Sequence, residues 1–250
     1  MNELIDLLAA RSGLVCAVGA GGKKTTLCHL AVFHPGRVGL TSTVPMAHFP
    51  STLAAHEVIA DAGEIVPAVV EVAATQRLVA FAHPEVRKGR YGGLASELIA
   101  EIQRAARFDV LLVKGDGARM RRIKAPEASE PVIPEGATTV IPIVSARAIG
   151  QPLTEEVAHR LSRVEAITGA EYGEPITPNH VARLLAHEQG ALKGTGVATV
   201  VPVINMVDDP EHETLALEAA RAALQLTDRF DRVVLTSHRQ TNRLVNVVTR

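Results

Sequence analysis

The stretch VGAGGKKTT, residues 18–26, decides the fold, because it joins a strand pattern to a helix pattern. Leu14 to Val18 is an apolar run typical of a buried strand, and Thr25 to Phe33 has the apolar spacing of a helix. Glycines let backbone N–H groups turn inward, and the helix N-terminus adds the positive end of its dipole. The stretch therefore predicts a phosphate-binding loop, and its predicted binding residues are Gly19, Ala20, Gly21, Gly22, Lys23, Lys24, Thr25 and Thr26.

The loop departs from both standard glycine-loop patterns. In GxxxxGK[ST] a hydroxyl follows the lysine directly, whereas here two lysines stand before Thr25. Either Lys23 or Lys24 is the phosphate lysine, so both are catalytic candidates, and Thr25 is the candidate Mg²⁺ ligand. The dinucleotide pattern GxGxxG fits less well, because Lys24 occupies the third glycine position. A solvated strand–helix turn and a nicotinamide-dependent Rossmann enzyme are the weaker alternatives.

An acid after a second apolar strand completes the predicted site. Asp116 follows the run FDVLLV, residues 108–113, and we interpret it as a catalytic and metal-binding carboxylate, with a simple Asp-Gly turn as the alternative. Arg119 begins the basic run RMRRIK, residues 119–124, and is the candidate for stabilising transferred charge. The hydroxyls at 41–43 are further candidates for the metal or the γ-phosphate.

A third strand end suggests a nucleobase contact. The run VPVIN ends at Asn205, and Asp208 follows with the spacing of the Asn-Lys-x-Asp motif of guanine-specific NTPases, although Met206 replaces the lysine. We therefore predict cofactor-binding roles for Asn205 and Asp208, with GTP or ATP as the nucleotide. His159 and the turn at Lys193 are additional candidate ligand contacts.

Outward from the loop, buried strand patterns alternate with helix patterns. This order predicts a three-layer α/β fold with a mostly parallel sheet, similar to P-loop NTPases. We expect a single domain over residues 1–250, with 145–195 as a candidate helical insertion. Apolar residues from Leu153 to Val164 predict one long amphipathic helix, and Gly115 to Gly136 is expected to be a long loop.

Composition narrows the class of ligand. The 250 residues carry 26 Lys and Arg against 27 Asp and Glu, and aromatic residues make up 3%. This balance argues against a nucleic-acid partner, which needs a cationic face or stacking aromatics. Neither a signal peptide nor an apolar membrane span is evident, so we expect a cytoplasmic protein that does not bind membranes. Cys16 and Cys28 are expected to pack in the core.

With these segments assembled, the chain resembles the YqeC family of selenium-dependent hydroxylase accessory proteins. The resemblance runs through VGAGGKKTTL, LLVKGDGARMRRIKAP, EPVIP, ITPNHVARLLAHEQGALKG and VPVINMVDD. It implies a P-loop-type protein that uses Mg²⁺ and GTP or ATP and assists maturation of a client molybdenum hydroxylase. It also allows a non-hydrolytic module that binds a phosphorylated cofactor of the molybdopterin type. Lys114 stands where the family motif has a glutamate.

Overall fold

The computed structural model describes residues 2–240 and 243–250. Within these residues the chain forms two compact units. The first comprises residues 2–17, Lys24–Gly117 and Val132–Thr139. The second comprises Val18–Lys23, Ala118–Pro131 and Val140–Arg250.

The first unit contains most of the amino-terminal half of the chain. Its elements, some of which extend across the unit boundary, are α1 (Asn2–Leu7), β1 (Gly13–Gly19), α2 (Lys23–Phe33), β2 (Val38–Ser42), β3 (Met46–Ala47), β4 (His56–Ile59), α3 (Ile65–Ala73), β5 (Leu78–Arg87), β6 (Arg90–Gly92), α4 (Ser96–Ala106) and β7 (Val110–Lys114).

Parallel pairing organises this unit. β7 lies between β1 and β2, β2 also pairs with β5, and β5 pairs with β4, all in parallel. The short strands β3 and β6 add antiparallel pairing. Helices α3 and α4 cover apolar residues of β5 and β7, including Phe81 and Leu111, which are fully buried. The register aligns Ala17, Lys114 and Ser42, so three strands end together at one edge.

The second unit contains the carboxyl-terminal half. Its further elements are β8 (Ile123–Lys124), β9 (Ala137–Ser145), β10 (Ala158–His159), α5 (Leu161–Thr168), α6 (Pro178–Ala186), β11 (Thr199–Val200), β12 (Val203–Asn205), α7 (Pro210–Leu226), β13 (Arg232–Thr236) and β14 (Leu244–Thr249).

In this unit β12 lies between β9 and β13, and both pairings are parallel. β14 adds an antiparallel edge to β13, and β8 pairs with β10 in a separate two-stranded ladder. The register aligns Ser145, Asn205 and Thr236 at the carboxyl ends of their strands. Ligands of parallel α/β sheets bind beyond such ends, so this row is a natural site.

The expected α/β fold with a mostly parallel sheet is confirmed by these pairings. The long helix expected from Leu153 to Val164 is wrong, because the helix begins only at Leu161. The backbone N–H of Leu153 donates to the Glu174 carbonyl at 2.8 Å, and Arg160 has a left-handed φ of 67°. The apolar residues from Leu153 to Val157 therefore have helical spacing in the sequence but lie on a segment that folds back before the helix begins.

The expected boundaries of a single domain, with an insertion at 145–195, stay a prediction. The long loop expected from Gly115 to Gly136 is confirmed, because the only regular element between residues 115 and 136 is the short strand β8. Among residues 2–240 and 243–250, no helix has both the length and the apolar character that a membrane span requires.

Candidate functional site

The glycine loop runs from β1 to the first residue of α2. Gly21 and Gly22 have left-handed φ values of 97° and 117°. A Cβ on Gly21 would lie 2.6 Å from the Ser145 backbone nitrogen, and one on Gly22 would lie 2.4 Å from Nδ2 of Asn205. Both separations are shorter than carbon–nitrogen contact distances, so only glycine fits. The loop is thus pressed closely against the ends of β9 and β12.

Polar contacts fix the loop in this position. The N–H of Ala20 donates to the Ile143 carbonyl at 2.8 Å, and Nδ2 of Asn205 donates to the Gly21 carbonyl at 2.7 Å. The ammonium of Lys23, a residue that is 5% exposed, donates to the Gly19 carbonyl. The loop therefore carries a buried ammonium group that is hydrogen-bonded to its own backbone.

Side chains at the ends of β9, β12 and β13 are connected by hydrogen bonds. The hydroxyl of Thr236 donates to Oδ1 of Asn205 at 2.9 Å, which orients the amide nitrogen of Asn205 towards the loop. The hydroxyl of Ser145 donates to the Met206 sulfur at 3.1 Å, and Met206 has a left-handed φ of 63°. Asn205 is 1% exposed, so the amide braces the phosphate loop from within the core.

Asp208 has partners that the sequence did not reveal. Its Oδ2 lies 2.6 Å from Nη2 of Arg147, and its Oδ1 accepts from the Ser237 hydroxyl at 2.6 Å. The carboxylate that would read a guanine edge is therefore neutralised by a neighbouring guanidinium. The predicted base-binding roles of Asn205 and Asp208 stay predictions; Asn205 contacts the loop, whereas Asp208 contacts Arg147 and Ser237.

The residues after Lys23 belong to the first unit. The ammonium of Lys24 donates to the carbonyls of Ala47, at 3.2 Å, and of His48. Burial lowers the pKa of Lys24, and the Cys28 and Glu57 side chains only partly offset this effect. Thr25 is exposed in the first turn of α2, whereas Thr26 is fully buried.

Asp116 also lies in the first unit, two residues beyond the end of β7. Its carboxylate is 1% exposed and is therefore removed from bulk water. A buried carboxylate is stable only with hydrogen bonds or cations around it, which suits a metal ligand. Mg²⁺ commonly takes one or two carboxylates and completes its shell with phosphate oxygens and water, so Asp116 and Thr25 are suitable donors.

The hydroxyls at the end of β2 have structural roles. Thr41 donates to the Phe81 carbonyl at 2.7 Å, Ser42 donates to the Lys114 carbonyl at 2.9 Å, and Thr43 donates to the Val132 carbonyl at 2.9 Å. These bonds connect the end of β2 to β5, to β7 and to Val132.

Arg119 lies in the second unit and is exposed. It lines a cavity of about 460 Å³ together with Arg121, His159 and Arg160. Lys193 instead donates to the carbonyls of Glu127 and Ala128, which makes it a brace of the loop between β8 and β9. The catalytic role expected for Arg119 stays a prediction.

Sequence reasoning missed three residues of this region, namely Ser145 beside Gly21, Arg147 beside Asp208 and Thr236 beside Asn205. Each follows or ends a predicted strand, so the order of strands in the sheet was the signal required. Only the parallel register of β9, β12 and β13 brings them to one edge.

Comparisons with known proteins agree with the sequence motifs. The family model described as YqeC protein matches residues 15–162, which include the loop, Asp116 and Arg119. The YqeC protein of Escherichia coli (strain K12) is 29% identical over 200 residues, covering 76% of this chain and 74% of that protein. The crystal structure of HypB from Helicobacter pylori in complex with nickel is similar with a TM-score of 0.41 and 12% identity, covering 95% of this chain and 85% of HypB.

Proposed function

Because the chain belongs to the YqeC family, we propose that it is an Mg²⁺-dependent accessory protein that binds a nucleoside triphosphate on the loop of residues 19–26. We further propose that it hydrolyses GTP or ATP slowly and assists maturation of a selenium-dependent molybdenum hydroxylase in the cytoplasm. Bound Mg²⁺ would neutralise charge on the β- and γ-phosphate oxygens.

The observation that carries the proposal is the geometry of the loop. Gly21 and Gly22 approach the strand ends more closely than any side chain allows, and the buried ammonium of Lys23 contacts the loop backbone. Such a loop before a helix presents N–H groups and a cation to an anion. In this proposal Lys23 contacts phosphate, while Thr25 and Asp116 bind Mg²⁺.

The test is a calorimetric titration of GTP and ATP with and without Mg²⁺. We expect Lys23→Ala to weaken binding by about tenfold or more, since it removes a charge-assisted hydrogen bond. Lys24→Ala should have a much smaller effect, because Lys24 contacts Ala47 and His48. Lys88→Ala, in the exposed turn between β5 and β6, is the matched control. Absence of nucleotide binding by the wild-type protein would refute the proposal.

Turnover tests the catalytic part separately. Asp116→Asn and Arg119→Ala should lower the rate of phosphate release at saturating nucleotide. The role in maturation is tested in a cell that lacks this chain, where the molybdenum hydroxylase should be purified with less selenium. Full selenium content in that enzyme would exclude the accessory role and leave nucleotide binding unaffected.

One observation favours a second candidate, a non-hydrolytic module that binds a phosphorylated cofactor of the molybdopterin type on the same loop. In the standard loop pattern the residue directly after the lysine carries the hydroxyl that binds Mg²⁺. Here that residue is Lys24, and its ammonium contacts backbone carbonyls. Tight phosphate-dependent binding of such a cofactor with no nucleotide turnover would support this module.

A further inference from the structure

The cavity beside β8 and β10 contains two guanidinium groups, those of Arg121 and Arg160, that the proposed nucleotide site does not use. Its volume is about 460 Å³, and three guanidinium groups line it, those of Arg119, Arg121 and Arg160. We infer that this cavity is a second anion-binding site, which takes the phosphate monoester group of a small molecule that also carries hydroxyl groups.

Pairing of two short strands assembles the cationic wall. β8 and β10 align Ile123 with Ala158 and Lys124 with His159. The segment that carries Arg119 and Arg121 therefore leads directly into β8 beside His159. In the part of the chain that the structure describes, neither Arg119 nor Arg121 has a carboxylate within ion-pair distance, whereas Arg160 lies 3.7 Å from Glu127 and 3.8 Å from Glu130.

Backbone geometry supports a ligand-binding role. Arg119 has a left-handed φ of 45°, and the next residue, Met120, has a φ of 62° and is 94% exposed. Two successive left-handed residues other than glycine are strained, and such strain is concentrated at functional sites. The turn directs Arg119 into the cavity and leaves Met120 in solvent.

Helix α5 adds a second source of positive potential. Arg160 precedes the helix with a left-handed φ of 67°, and no side chain caps the first turn. Leu161 and Ser162, the first two residues of the helix, line the cavity. Their N–H groups have no acceptor within the helix, so a phosphate oxygen is a suitable partner.

Other groups in the cavity define the remainder of the ligand. Glu155 and Glu165 also line it, and carboxylates accept hydrogen bonds from hydroxyl groups. The lining therefore has three guanidinium groups and two carboxylates, and Arg160 is also close to Glu127 and Glu130, which leaves Arg119 and Arg121 as the main cations for an anion. Burial and the cations Lys124, Arg160 and Arg119 lower the pKa of His159, and Glu130 only partly opposes them, which is consistent with a positive local potential.

Binding of ribose 5-phosphate, followed by amide NMR in the Lys23→Ala background, tests the inference. The Lys23→Ala variant lacks the lysine that is proposed to contact phosphate in the loop. Binding of ribose 5-phosphate to the cavity can therefore be measured independently of nucleotide binding to the loop. We expect the Leu161 and Ser162 amides to shift on titration. Acetate at the same concentration should leave them unchanged, because a phosphate monoester offers a second charge and a third oxygen.

Two variants test the cavity residues. Arg121→Ala should weaken ribose 5-phosphate binding by about tenfold or more. Arg160→Gly suits the left-handed backbone and removes the charge, so it should fold normally and weaken binding similarly. Arg87→Ala, an exposed residue of β5, is the control. Unshifted Leu161 and Ser162 amides, or unchanged affinity in both variants, would overturn the inference.

Discussion

Gly21→Ala is the sharpest test of the loop geometry. Alanine at the Gly21 φ of 97° carries the strain of a left-handed backbone, about 1–2 kcal/mol. Its Cβ would also lie 2.6 Å from the Ser145 nitrogen and 2.9 Å from the Ser145 Cα. Because backbone atoms cannot rotate away, we add about 1–3 kcal/mol for overpacking. The expected loss of unfolding free energy is therefore about 2–5 kcal/mol.

Gly173→Ala separates the cost of a left-handed backbone from the cost of a steric clash at the new Cβ. Gly173 has a similar φ of 80° in the same unit, and a Cβ there would meet no atom within 4 Å. We expect it to lose only about 1–2 kcal/mol. Urea unfolding measures both values, and calorimetry should show weaker nucleotide binding by Gly21→Ala alone. Equal stability losses in the two variants would refute the close approach of the loop to β9.

Three further predictions concern the surroundings of the loop. Gly22→Ala should be tolerated better in an Asn205→Ala background, because the amide nitrogen 2.4 Å from the new Cβ is gone; a double-mutant cycle of unfolding free energies should show coupling of about 1 kcal/mol or more. Arg147→Ala should lower the free energy of unfolding by about 1–3 kcal/mol, less than for a fully buried ion pair because Arg147 is partly exposed. The same change should raise the affinity for GTP relative to ATP, since it removes the ion pair of Asp208. An unchanged ratio of the two dissociation constants would contradict this. Burial raises the pKa of Cys28 to about 11, so alkylation by iodoacetamide at pH 8 should be about a hundredfold slower in the native protein than in urea, and should accelerate as pH rises towards 11.

The strand–loop–helix geometry of the glycine loop could be predicted because its signal is local. Strand, glycines, lysines and helix follow one another within residues 14–33, and sequence spacing alone fixes their order in space. Strands β1 and β7 were predicted for a similar reason, since both are continuous apolar runs flanked by turn residues. These strands are buried on both faces, which is why their sequences show no alternation.

Elements that lack a clear apolar pattern and flanking turn residues were not predicted. Helix α3, with the sequence IVPAVVEVA, contains proline in its first turn and little polar residue spacing, so it reads equally well as a strand. Strand β5 begins with five buried residues and continues through Pro84 into exposed polar positions, which obscures its length. β14 is a half-buried edge strand that depends on its pairing with β13.

The support of the site lay beyond sequence reasoning because it depends on register. Asn205 was selected for a base contact on the evidence of its motif. That base contact stays a prediction; in the structure the amide donates to the Gly21 carbonyl, and Thr236 fixes its orientation. Residues 31 or 184 positions apart meet here only because parallel strands end together. A motif can name the residues at a strand end, but the sheet decides which of them contact ligand and which contact each other.

The doubled lysine illustrates the same limit and its resolution. By sequence, Lys23 and Lys24 are equivalent candidates for phosphate, but their ammonium groups have different acceptors. Lys24 is bound to the carbonyls of Ala47 and His48, so moving it to a ligand would leave two acceptors without their donor. Lys23 is bound to the Gly19 carbonyl within the loop itself, and a charged phosphate oxygen is a stronger acceptor than a neutral carbonyl. These contacts favour Lys23 over Lys24 as the lysine proposed to contact phosphate, and Lys24 links the first turn of α2 to the segment after β3.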